Sequence, residues 1–134
     1  MRAVLDPNVL ISSLLSGKGA PAQLVRRWLS GHFELVVSDL LLAELTEALA
    51  ARKLRSRIPT EAIEALLARL AESALRVVDP QEPARRSADP DDDYLIALAE
   101  TAAAMLVSGD RHVLALASSL PIRTPADFLA ELSD

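Results

Sequence analysis

The stretch Arg2-Ala3-Val4-Leu5-Asp6-Pro7-Asn8-Val9-Leu10 decides how this chain is read. An apolar run, Arg2 to Leu5, has the length of a short buried strand; an acid, a proline and an amide interrupt it; Val9 to Leu15 then resumes as a helix, closed by Ser16-Gly17-Lys18-Gly19. A strand that hands over to a helix at an aspartate is the first half of a βα unit. The handover recurs at Phe33 to Val37, where Ser38 is placed to cap a long helix from Asp39 to about Leu54, and at Met105 to Val107, followed by the turn Ser108-Gly109-Asp110. Alternation of this kind predicts a three-layer α/β/α domain with a mainly parallel sheet of four or five short strands, spanning residues 1–134 as one domain.

The rest of the chain fills in around these units. Pro21 opens a helix that runs toward Ser30 with Gly31 as its stop, and Thr60 starts another that reaches about Ala74. Leu75 to Val78 reads as a short strand, Asp79 to Pro90 as a polar connection, and Asp92 to Thr101 as a helix. A short helix is expected around Val113 to Ala117 and an edge strand at Ile122 and Arg123. Thr124-Pro125-Ala126-Asp127 has the cap, the proline and the acid of a helix start, so a last helix covers about Pro125 to Leu132.

In a parallel sheet every strand-to-helix crossing lies at one edge, the edge where such folds keep their ligands. Asp6 and Asp110 end strands at such crossings. Glu44 falls beside Leu41, Leu45 and Ala48 at the edge of the core-facing stripe of its helix, whereas Glu47 points away. Asp89-Pro90-Asp91-Asp92-Asp93 packs four acids into five residues before an apolar helix, more than capping that helix requires. Asp93 is the one expected to face inward, with Asp91 in reserve. Each acid alone has an ordinary explanation as a cap, a turn or a rim residue. Together, Asp6, Glu44, Asp93 and Asp110 at one edge repel one another unless a positive charge sits between them, and a hard divalent cation is the simplest such charge.

Composition narrows the chemistry. The absence of cysteine removes disulfides, thiolate nucleophiles and sulfur-ligated metals, so any metal is held by oxygen or histidine. Mg²⁺ or Mn²⁺ suits carboxylates, keeps several waters, and activates water against a phosphodiester without a covalent nucleophile. Asn8 and Ser38 are placed to hydrogen-bond those carboxylates or a substrate, and Arg111 to touch a phosphate. The net charge of −5 argues against an indiscriminate grip on nucleic acid, although acids gathered in a metal site leave room for a basic rim. Arg52, Lys53, Arg55 and Arg57 form either such a rim or a solvated helix end; Arg85 and Arg86 precede the acidic run. With aromatic residues at 3%, sequence reading by base stacking is not expected. Asp6 interrupts the first apolar run too early for a signal peptide, and no apolar run is long enough to span a bilayer, so a soluble, cytoplasmic protein is expected.

At these residues the chain resembles the PIN-domain nucleases, in particular the toxin-like branch related to VapC-type ribonucleases. The resemblance runs through Leu5-Asp6-Pro7-Asn8-Val9-Leu10, Val37-Ser38 to Glu44-Leu45, Asp89 to Asp93 with Ile96-Ala97 and Ala99, Leu106-Val107-Ser108-Gly109-Asp110, and Ile122 to Leu129. It implies an acidic quartet at Asp6, Glu44, Asp93 and Asp110, with Asn8 and Ser38 in support. It also implies Mg²⁺- or Mn²⁺-dependent endonucleolytic cleavage of RNA, a toxin's role beside a small antitoxin, and a homodimer. Pro7 and Ser108 depart from the threonine or serine, and the threonine, common at those places. Two alternatives stand beside it. One is a non-catalytic binding scaffold with the same fold. The other is an aspartate-based phosphotransfer domain, disfavoured because Asp6-Pro7-Asn8 lacks a second aspartate and no lysine follows Lys53.

Overall fold

In the computed structural model, which describes residues 1–81 and 92–132, the opening stretch forms strand β1 (Arg2–Leu5) and helix α1 (Pro7–Leu15). Asp6 caps that helix, its Oδ1 accepting the Asn8 N–H at 2.9 Å. Pro7 takes the first helical position, where a missing N–H costs nothing, so α1 begins two residues before Val9. There follow α2 (Ala20–Leu29), β2 (Glu34–Val37), α3 (Asp39–Leu49), α4 (Arg52–Arg55), α5 (Thr60–Ser73) and β3 (Leu75–Arg76). The remaining elements are α6 (Asp93–Thr101), β4 (Met105–Val107), α7 (Arg111–Leu114), β5 (Ile122–Arg123) and α8 (Pro125–Leu132).

Among the described residues five strands form one parallel sheet, in the order β3-β2-β1-β4-β5. From β1 the chain steps outward through β2 to β3, then returns across β1 to lay down β4 and β5. Right-handed crossovers therefore put α1 to α5 on one face and α6 and α7 on the other, while α8 returns to pack on α2. The direction of winding reverses between β1 and β4, and the carboxyl ends of those two strands flank the crevice. Beneath it lies a core that includes Leu5, Leu10, Leu35, Leu45, Leu95 and Val107. Phe33 and Phe128 meet edge to face with ring centres 5.3 Å apart, anchoring α8.

Three further boundaries depart from the sequence expectation by two residues or more. The helix from Asp39 stops at Leu49, and Ala51 turns extended (ψ 137°) before α4. The break folds the chain back so that Leu54 packs on the core and Ile58 is buried within it; an unbroken helix would have carried both past the sheet. Strand β3 ends at Arg76, because β2 ends at Val37. The Val77 N–H still donates to Val37 O at 2.9 Å, but Val78 is left exposed. Helix α7 begins at Arg111, ahead of Val113, because Asp110 Oδ1 accepts the His112 N–H at 2.7 Å. Among the described residues, no helix is long and apolar enough to cross a membrane.

Ala103 is a non-glycine residue with positive φ, at 53°. It closes α6 in a Schellman arrangement: Ala104 N–H donates to Ala99 O at 2.8 Å and Ala103 N–H to Glu100 O at 3.2 Å. A Cβ in this left-handed conformation costs about 1 kcal/mol. Ala103→Gly is therefore expected to stabilise the fold by about that amount, read as a higher midpoint in urea at unchanged m-value.

Candidate active site

Asp6 leaves the end of β1 with its backbone N–H donating to Val107 O of β4 at 2.9 Å, which ties it to the neighbouring strand. The side chain is nearly enclosed, at 4% exposure. Its Oδ1 takes the Asn8 N–H, and its Oδ2 accepts the Ser108 hydroxyl at 2.8 Å. The same Ser108 oxygen accepts the Asp110 N–H at 3.0 Å, so one fully buried serine braces both strand-end aspartates. Burial pushes the Asp6 carboxyl above its ordinary value; the Asn8 N–H and the Ser108 hydroxyl pull it back, and the charge of Asp110 pushes it up again. The ionised form of Asp6 is thus held with less compensation than its burial calls for.

The second half of the site comes from α3 and α6. Asp93 is buried in the first turn of α6, where the helix dipole offsets its charge. Tyr94, next to it, is also buried, and its hydroxyl donates to Glu44 Oε2 at 2.5 Å. Burial pushes the Tyr94 phenol far above its usual range; the bond to Glu44 and the charges of Glu44, Asp6 and Asp79 push it further. Asp6 and Glu44 therefore lie within electrostatic reach of one hydroxyl. Glu44 itself is exposed, which fits its place at the edge of the core stripe, where burying a glutamate is costly unless it is paired. Leu41 and Leu45 fill the core from the same helix, and Glu44 stands on the flank above the sheet edge, where it stays solvated.

The supporting residues divide. Asn8 is exposed and braces Asp6 through its backbone. Ser38 is fully buried, and its hydroxyl accepts the Leu41 N–H at 3.2 Å, so it fixes where α3 starts. Arg111 is exposed next to Asp110, and Arg52, Lys53, Arg55 and Arg57 are exposed on and after α4. His112 is exposed, its ring nitrogen 3.5 Å from Asp110 Oδ1. Arg85, Arg86, Asp89 and Asp91 lie outside the described residues.

Two groups escaped the sequence reading. Asp79 Oδ2 accepts the Leu40 N–H at the start of α3, at 2.9 Å, and its Oδ1 is buried with no hydrogen-bond partner among the described residues. Its position after Leu75-Arg76-Val77-Val78, at the end of a strand, was the available signal. Tyr94 carried a signal as well, as the only tyrosine in the chain and the neighbour of Asp93.

Among the described residues, no three acids or histidines stand close enough to hold one ion together. The donors nevertheless fit a hard cation in kind and in charge. They are carboxylate oxygens, Asp6 is destabilised as an anion, and Asp79 offers an orphaned oxygen. Mg²⁺ commonly takes one or two carboxylates directly and reaches others through its waters. Beside Asp110 a depression of about 300 Å³ is lined by Asn8, Val9, Ser12, Pro21, Gly109 and Pro125. A larger one of about 540 Å³, lined in part by Met1, His32, Glu34 and Arg69, lies at the other edge of the sheet, away from the acids. Chemistry rather than size makes the first the candidate.

Residues 2–112 match the PIN domain family. Among solved structures, PAE2754 from Pyrobaculum aerophilum is similar with a TM-score of 0.64 at 18% identity, covering 99% of this chain and 90% of that one. A PilT N-terminus domain protein, SSO1118, from the hyperthermophilic archaeon Sulfolobus solfataricus P2 gives 0.59 at 17% identity, covering 100% and 95%. At these identities the two share the fold. No curated protein matches the chain.

Proposed function

The chain belongs to the PIN-domain family, whose members are typically nucleases, and on that premise we propose that it is a Mg²⁺- or Mn²⁺-dependent endoribonuclease. We propose further that it is the toxin of a toxin–antitoxin pair. The observation that supports this most is the gathering of distant acids toward one sheet edge: the charge of Asp110 reaches Asp6, and the Tyr94 hydroxyl, within the field of Asp6, donates to Glu44.

In this reading Asp6, Asp93 and Asp110 hold the ion, directly or through water, and Glu44 is a further ligand or orients the attacking water. The bound ion supplies an acidified water and a polarised phosphoryl oxygen. Ser108 holds the Asp6 carboxylate and the Asp110 backbone, and the His112 N–H holds the Asp110 carboxylate, so the two need little rearrangement when substrate arrives. The depression beside Asp110 accommodates the RNA strand, and Arg111 at its mouth meets a phosphate. Exposed Leu15, Leu29 and Leu40 give an antitoxin or a second copy apolar surface to cover.

Single-stranded and structured RNAs incubated with the protein are expected to show internal cuts in Mg²⁺ or Mn²⁺ and none in chelator. RNA left intact in both ions would favour the scaffold alternative, in which the same fold only binds. A short neighbouring reading frame with a DNA-binding start tests the toxin assignment.

A further inference from the structure

We infer that Tyr94 is a positioning residue: its hydroxyl holds Glu44 at the acidic edge by Oε2 and leaves Oε1 free for a divalent cation. The inference rests on the metal-dependent reading above and assigns the element that completes its site. Glu44 is exposed on α3, and among the described residues the bond from Tyr94 is its one hydrogen bond or ion pair. An untethered glutamate there has three rotatable bonds and open solvent beside it, so it would turn outward to water. The Tyr94 ring resists that motion because it is rooted in the core at 8% exposure, on the helix turn that also carries Asp93.

The chemistry of the tether matters as much as its position. A phenol is a donor without positive charge. It fixes a carboxylate while leaving in place the negative potential that attracts a cation, whereas an arginine or lysine would neutralise that potential. Phenylalanine would fill the same space and hold nothing.

Tyr94→Phe isolates the hydroxyl. Mn²⁺ binding measured by calorimetric titration is expected to weaken about tenfold, because the cation must then also order the Glu44 side chain. In a Glu44→Ala background the same change should have no further effect on Mn²⁺ affinity. Tyr94→Phe binding Mn²⁺ as tightly as the wild type, or more tightly, overturns the inference. Should that occur while Asp6→Asn abolishes Mn²⁺ binding, the metal-dependent reading survives and only the role of Tyr94 falls; a wild type that binds no Mn²⁺ removes both. A second measurement needs no Tyr94 variant. With one tyrosine in the chain, a ¹³Cζ label gives one resonance, which Glu44→Ala is expected to shift. A resonance indifferent to Glu44→Ala means that the bond is not made in solution.

Discussion

Asp6→Asn is expected to lower metal-dependent RNA cleavage by about a thousandfold or more and, in chelator, to raise the melting temperature. The loss follows from removing a charged donor: a bound ion contributes several kcal/mol of transition-state charge stabilisation, and each ~1.4 kcal/mol is tenfold in rate. The gain follows from the raised carboxyl of Asp6. Between its ordinary value and the raised one, the folded state keeps a proton that the unfolded state has released. Stability from this group is therefore lost as pH rises through that window, because above it the metal-free fold carries a buried charge that the unfolded chain solvates. Asparagine has no charge to desolvate and still offers an oxygen to the Asn8 N–H. Thermal melts of both proteins in chelator at pH 7 decide the matter: a variant that melts below the wild type shows that the fold itself satisfies the charge, and the strain assigned to Asp6 is then absent.

Mg²⁺ or Mn²⁺ at a hundred times its dissociation constant is expected to stabilise the wild type by about 2.7 kcal/mol if only the folded state binds, roughly 10 °C for a domain of this size. Asp6→Asn and Asp93→Asn should each lose that increment. Among the described residues no three acids stand within reach of one ion, so binding by these must draw side chains inward or be bridged by water. The stabilisation at a fixed multiple of the dissociation constant does not depend on the affinity, which makes it the cleaner observable. A wild-type melting temperature indifferent to both ions would remove the cation from the site.

Much of this architecture is legible in local chemistry. Apolar runs ending at Asp6, Ser38 and Asp110 mark strands that become helices, and all three side chains do accept the N–H bonds of caps. Thr124 likewise caps α8, its Oγ1 accepting the Asp127 N–H at 3.1 Å. Such signals are readable because the interacting groups lie two or three residues apart, so sequence spacing is also spatial proximity.

The break after Leu49 is different in kind. Ala50 and Ala51 favour helix, and the chain turns there because Ile58, several residues later, belongs in the core. The order β3-β2-β1-β4-β5, and with it the crevice between Asp6 and Asp110, depends on which strands pair across the whole chain. Tyr94 reaches Glu44 across fifty positions. The sequence by itself determined the alternating units, their caps and the acids at their ends, since propensity, capping and period act over one or two turns. Only the tertiary structure decided which acids face one another, that Asp79 joins them, and that a neutral hydroxyl stands among them, because those relations arise from burying one common core.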